Sequence, residues 1–128
     1  MSETTNILLV EDDRHIALAL RIRLSAAGHT VHLAENVSAA LALVGTQAPD
    51  VAVIDVNLPD GNGIALMRSF DSLGLTSPIV SIIMSASRKP GLREEALAAG
   101  AYVFLEKPFS SVALLDAVGM QGDVRQAS

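Results

Sequence analysis

The 128-residue sequence has no cysteine and no tryptophan, and only one tyrosine and three phenylalanines. Without cysteine there can be no disulfide framework, thiolate zinc site or cysteine nucleophile, and the chain suits a reducing cytosol. Aromatic residues are 3% of the total (Phe70, Tyr102, Phe104 and Phe109), which leaves little for stacking on nucleic acid bases. Positive charge is scarce as well, with 9 Lys and Arg against 14 Asp and Glu, for a formal net charge of −5. A domain so acidic is not expected to bind DNA or RNA directly, because phosphate binding needs a basic face. Long hydrophobic runs are missing too: nothing approaches the ~18 apolar residues of a membrane span, so no membrane association is expected. The opening Met1-Ser2-Glu3-Thr4-Thr5-Asn6 lacks the basic start and apolar stretch of a secretory signal. What remains is aliphatic. Half of the residues are apolar, enough for one domain with a real core, and the expected setting is cytoplasmic.

Five short apolar runs alternate with five helix-like segments. Ile7-Leu8-Leu9-Val10 is continuous rather than alternating, the pattern of a strand buried on both faces. Arg14 to Ala27 follows, with Ile16, Leu20 and Leu24 on one stripe and Gly28 at the stop. Thr30 to Ala34 alternates as an edge strand would. Val37 to Val44 reads as a helix with Val37, Ala40, Leu41 and Val44 inward. Val51 to Ile54 is a buried strand, and Gly63 to Leu73 a helix closed by Gly74. Ile79 to Met84, then Gly91 to Ala99, then Tyr102 to Leu105 continue the alternation, and Ser110 to Val118 is the last helix, N-capped by Ser110. Such alternation predicts a doubly wound α/β fold, a parallel sheet with helices on both faces. The ordered core is expected over about residues 5–118, with a polar tail at 119–128. Ligands of open α/β sheets bind at the carboxyl ends of the strands.

Each buried strand ends in a polar residue that a core would not demand. The first leads into Glu11-Asp12-Asp13, the third into Asp55, the fourth into Ser85 and the fifth into Lys107-Pro108. Adjacent carboxylates repel, so their grouping calls for a cation or raised pKa values. Mg²⁺, with one or two carboxylates plus waters and phosphate oxygens, suits this inventory. A carboxylate beside Mg²⁺ can also act as nucleophile toward phosphorus. Each residue alone has a plainer reading. The acids can be solvated loop charges, with Asp13 capping a helix; Asp55 can cap a loop; Ser85 can be structural; Lys107 can snorkel to solvent. Together, all four groups fall at one end of the strands. The Gly/Asn/Pro-rich segment Val56 to Gly63 keeps the chain around Asp55 exposed, and Pro108 restricts Lys107 and allows a cis bond before it.

These residues, as an ordered set, make the chain resemble a response-regulator receiver domain, the phosphoacceptor module of two-component signalling. The resemblance rests on Ile7 through Asp13, Asp55 with Leu58-Pro59-Asp60 and Gly63, Met84-Ser85-Ala86, and Gly100-Ala101 running to Lys107-Pro108-Phe109. It covers about residues 5–118 and implies a flavodoxin-like five-stranded sheet of order 2-1-3-4-5. It further implies a signalling phosphoacceptor rather than an enzyme, with Asp55 taking the phosphoryl group from a histidine kinase or histidine phosphotransfer protein. Asp12, Asp55 and the Asn57 backbone carbonyl would bind Mg²⁺ directly and Glu11 mainly through water. Lys107 would pair with phosphoryl oxygens, Ser85 would donate its hydroxyl, and Phe104 would turn inward as the switch ring. Asn57 and Ser87 would tune the phosphoryl lifetime, and Tyr102 would face the surface. The output partner is left unassigned. The last helix departs from the pattern, with Gly119 and Gly122 expected to break it early and Asp116 where basic residues are common.

Three other readings share parts of this inventory. A phosphatase of the haloacid dehalogenase type needs a second acid two residues after its nucleophile, where this chain has Asn57. A flavodoxin-like electron carrier needs donors after the first strand, where Glu11-Asp12-Asp13 would repel the FMN phosphate. A degenerate receiver used only for docking would have no reason to keep Glu11, Asp12, Asp55, Ser85 and Lys107 together.

Overall fold

The aliphatic runs become five strands in the computed structural model, which describes residues 5–119. They are β1 (Asn6–Val10), β2 (Thr30–Ala34), β3 (Val51–Asp55), β4 (Val80–Ser85) and β5 (Val103–Glu106). All pairings are parallel, and the spatial order is β2-β1-β3-β4-β5, the expected one. Helices α1 (Arg14–Ala26), α2 (Val37–Thr46), α3 (Gly63–Ser69), α4 (Leu92–Ala98) and α5 (Ser111–Gly119) connect or follow them.

The pleat sorts the strand residues between two cores. Leu8, Val10, Ala52, Ile54, Ile83 and Phe104 face the layer of α2, α3 and α4. Ile7, Leu9, Val51, Val53, Ile82 and Met84 face Leu24 of α1 and Leu114, Ala117 and Val118 of α5. Burial on both faces explains why β1, β3 and β4 read as unbroken apolar runs. Each fully buried Leu or Ile contributes roughly 1.5–3 kcal/mol of transfer free energy.

Several boundaries differ from the sequence reading. Asp55 and Ser85 are the last residues of β3 and β4 rather than the first beyond them, and Ile79 lies before β4. The segment expected as one helix from Gly63 to Leu73 is α-helical only to Ser69 and then tightens into a 3₁₀ turn, Phe70–Leu73, ending on Gly74 at φ 68°. The Ser69 hydroxyl donates to the Leu66 carbonyl (2.6 Å) and Ser72 to Ser69 (2.8 Å), local bonds of the kind that compete with helix continuation. Gly91 is the left-handed N-cap of α4, at φ 84°, rather than its first residue. Leu41 is exposed rather than inward. The last helix runs through Gly119; Gly122 and the rest of the expected tail, 120–128, lie outside the described residues. Among the described residues, no helix is long and apolar enough to cross a membrane.

Beyond β3, the two-residue strands Asn57–Leu58 and Gly61–Asn62 form a small antiparallel ribbon. At its tip Asp60 reaches α2, with Oδ1 accepting from the Val37 N–H (2.7 Å) and Oδ2 from the Ser38 N–H (3.2 Å). The Val37 N–H above all holds the Asp60 carboxyl below the ordinary 3.8. At its base the Gly63 N–H donates to the Val56 carbonyl (2.8 Å), and a Cβ on residue 63 would lie 2.1 Å from the Asp55 carbonyl oxygen.

Two predictions follow from the ribbon. Gly63→Ala should cost about 2–3 kcal/mol in urea unfolding, because the clash is with backbone. Gly61→Ala, whose Cβ meets only the Val37 methyl at 3.0 Å, should cost much less, and equal losses would contradict the close-approach argument. Asp60→Ala should lower the thermal midpoint at neutral pH. The Asp60 contribution is complete above the ordinary carboxyl value of 3.8 and is lost as pH falls through the lower folded value, so the gap to wild type should close in acid.

Candidate functional site

Strand parity brings the site together. Glu11 extends β1 by one residue, its N–H bonded to the Ala34 carbonyl (3.0 Å), and Lys107 extends β5, its N–H bonded to the Ser85 carbonyl (2.8 Å). Counted by twos, Glu11 follows Ile7 and Leu9, Asp55 follows Val51 and Val53, and Lys107 follows Val103 and Leu105. All three therefore emerge on the α1/α5 side of the sheet's carboxyl edge. Ser85 has the parity of Ile83 and shares the other side with Phe104.

The Lys107 ammonium bridges two carboxylates, 2.5 Å from Glu11 Oε1 and 2.7 Å from Asp55 Oδ2. Glu11 is 3% exposed and Asp55 7%, so neither charge is solvated in the usual way. Backbone donors hold the opposite oxygens. The Asp13 N–H reaches Glu11 Oε2 (3.1 Å) and the Asn57 N–H reaches Asp55 Oδ1 (3.0 Å). Burial pushes the Glu11 carboxyl above its ordinary 4.5, and the Asp55 charge adds to this against the pull of Lys107 and the Asp13 N–H. Burial alone would lower the Lys107 ammonium, but its bonds to Asp55 and Glu11 outweigh that and hold it above the ordinary 10.5. The Lys107-Pro108 bond is cis.

Asp12 is exposed beside them, and oxygens of Glu11, Asp12 and Asp55 all lie within 4.8 Å of one another. Among the described residues only Lys107 forms an ion pair with this group. Three hard carboxylates against one ammonium fit a divalent cation bound through oxygen. Asp13, third in the acidic run, accepts from the His15 and Ile16 N–H groups and caps α1, as the sequence suggested.

Ser85 is fully buried, its Oγ accepting from the Ser87 N–H (3.0 Å). Phe104 is 4% exposed, so its ring lies inside in this structure, under the Arg93 guanidinium at 5.4 Å from the ring centroid. Tyr102 is half-buried and packs against the α1/α5 core rather than standing free on the surface. Two elements escaped the sequence reading. The Arg93–Phe104 stack joins residues eleven apart on different elements, and the Asp60 contact with α2, twenty-three residues away, gives no local signal although Asp60 itself is part of the Leu58-Pro59-Asp60 motif.

The shared ammonium gives a direct prediction. Lys107→Met leaves Glu11 and Asp55 buried and unpaired and should cost about 3 kcal/mol in urea unfolding. Added Mg²⁺ should recover part of the loss, because an ion that binds only the folded state stabilises it. A variant as stable as wild type without Mg²⁺ would show that the lysine does not hold the pair.

Comparison with known proteins places the chain in a family. The response regulator receiver domain family matches residues 7–119. The KDP operon transcriptional regulatory protein KdpE of Escherichia coli (strain K12) is 38% identical over 105 residues, 82% of this chain and 45% of the relative. Response regulator MprA of Mycobacterium ulcerans (strain Agy99) is 37% identical over 112 residues, 88% of this chain and 47% of the relative. The chain thus spans about half the length of these curated relatives. Among solved structures, a CheY-like receiver domain protein from Methanospirillum hungatei JF-1 superposes with a TM-score of 0.88 at 25% identity, covering 98% of both chains. The chemotaxis response regulator CheY4 of Vibrio cholerae gives 0.84 at 25% identity, covering 93% of this chain and 99% of that one. Receiver domains are signalling modules that take up a phosphoryl group and bind Mg²⁺ at acidic residues. The strand order is that of the receiver-domain fold, and the chain belongs to the response regulator receiver domain family.

Proposed function

We propose that Asp55 is the residue phosphorylated. The observation that carries this reading is the meeting of Glu11, Asp12 and Asp55 with Lys107 at the carboxyl edge of the sheet. A histidine kinase or histidine phosphotransfer protein presents a phosphohistidine. An Asp55 carboxylate oxygen attacks phosphorus in line, the N–P bond breaks, and the imidazole leaves as the new acyl phosphate forms. Glu11, Asp12, Asp55 and the Asn57 carbonyl would hold Mg²⁺. When bound, the ion offsets charge on the transferring phosphoryl oxygens.

The protein's own groups do the rest. The Asn57 N–H on Oδ1 fixes the carboxylate plane, so that attack starts from one orientation. Lys107, now on Asp55 Oδ2, moves its ammonium onto the incoming phosphoryl oxygens and remains paired with Glu11. The Ser85 hydroxyl, which accepts from Ser87, has its own proton to donate to the phosphoryl group. Because the Phe104 ring is already inside, phosphorylation stabilises this packing rather than creating it, a shift in population between two arrangements of α4 and β5. Hydrolysis then resets the module, at a rate that Asn57 and Ser87 adjust. Residues 1–128 act as one receiver domain in the cytoplasm, and the output partner is read through the α4/β5 surface without direct nucleic acid contact by this domain.

Acetyl phosphate with Mg²⁺ tests the assignment. The wild-type chain should gain about one acid-labile phosphate and the Asp55→Asn variant essentially none, read by intact mass. Undiminished uptake by the variant would remove Asp55 from the role.

A further inference from the structure

We infer that Asp60 is a positioning residue for Asp55, and that its clamp on the first turn of α2 holds the ribbon that aims the Asp55 carboxylate. This rests on the reading of Asp55 as a phosphoacceptor in an Mg²⁺ site. A ribbon of two residues per strand does not hold itself in place. Its base carries the Asn57 N–H that binds Asp55 Oδ1, and its tip carries Asp60. Asp60 is exposed and sits in a loop of Gly, Asn and Pro, yet both of its oxygens are engaged, on the Val37 and Ser38 N–H groups. The Val37 side chain also packs against Gly61, so the ribbon is seated on α2 by contact as well as by hydrogen bonds. On the other side, Asn62 Oδ1 accepts from Ile64 and Ala65 and ties the ribbon to α3.

A continuous chain of contacts therefore runs from α2 to the site. The N–H groups of Val37 and Ser38 hold Asp60, the ribbon joins Asp60 to Asn57, and Asn57 holds one Asp55 oxygen while Lys107 holds the other. Releasing the tip leaves the Oδ1 donor on a ribbon held at its base alone, by the Val56 and Gly63 backbone bonds and by Asn62 on α3. Asp60 itself takes no place in the acidic group, because its charge rests on the electropositive end of α2.

The chain can be cut from either side. Asp60→Ala removes both acceptors. Val37→Pro removes the closer donor, together with the valine side chain that packs against Gly61, and leaves Asp60 intact. Residue 37 is the first residue of α2, where proline is well tolerated, and Asn36 before it is already extended (φ −158°, ψ 175°) as a pre-proline residue prefers. Calorimetric titration of the 128-residue chain with MgCl₂ should give a dissociation constant raised about 10-fold in Asp60→Ala, the size expected for losing an outer support of a metal ligand. Val37→Pro should move it in the same direction, and the double variant should fall short of the summed single effects, because both act on the one seat of the ribbon on α2. The Mg²⁺ concentration that half-saturates phosphate uptake from acetyl phosphate should rise in parallel. An unchanged Mg²⁺ constant in either variant, measured well below its thermal midpoint, would reduce Asp60 to a cap of α2 and overturn the inference, and so would additive effects. If wild type binds Mg²⁺ and takes up phosphate while the variants match it, only this inference falls. If wild type does neither, the phosphoacceptor reading falls with it.

Discussion

Two buried carboxylates, Glu11 and Asp55, share one ammonium, that of Lys107, and the three groups come from the ends of three different strands. Either carboxylate without the lysine would be a costly buried charge, and the lysine without them would be equally misplaced. Their mutual dependence fixes how β1, β3 and β5 must align at the carboxyl edge, although β1 and β5 are not neighbours in the sheet. It also leaves the cluster short of positive charge by design of its composition. Asp12 adds a third carboxylate with no cation of its own among the described ion pairs, so the site stays receptive to a divalent ion.

The sheet divides the polar residues of its carboxyl edge between two faces. Glu11, Asp55 and Lys107 lie on the side of α1 and α5, while Ser85 and Phe104 lie on the side of α3 and α4. Ser85 is nonetheless joined to Lys107 through the ladder bond between its carbonyl and the lysine N–H. The two sides are thus joined by backbone hydrogen bonds, this one and that of the Val56 N–H to the Met84 carbonyl, and by the strands that carry them. A change at Asp55 has a short covalent and hydrogen-bonded route to the loop that begins at Ala86.

Much of this was legible in the sequence because it follows from short-range pattern. Unbroken runs such as Ile7 to Val10 and Val51 to Ile54 mark strands covered on both faces, and the intervening stripes mark helices. The polar residues at the strand ends stood out because no core needs them there. Asp13 and Ser110 were readable as caps from position alone, and the structure shows both accepting helix N–H groups. What stayed hidden depends on contacts between distant segments. Asp60 and Val37 are twenty-three residues apart and neither has an unusual neighbour in sequence. The guanidinium of Arg93 over the Phe104 ring joins two elements, which periodicity does not report. The 3₁₀ turn at Phe70 depends on hydroxyls that bond to their own helix, and its residues fit a helical stripe equally well.

The acidic run after β1 shows how finely backbone direction divides like residues. Glu11 turns into the core edge and meets Lys107, Asp12 faces solvent beside the cluster, and Asp13 folds back to cap α1. The chain leaves extended geometry and enters a helix across these positions, so each successive side chain leaves in a different direction. Three carboxylates of the same charge therefore have three jobs that they cannot exchange. A permutation of the run would conserve net charge, isoelectric point and total side-chain volume, yet it would place the longer glutamate where the shorter reach is needed. In this stretch, order carries information to which every bulk property of the protein is blind.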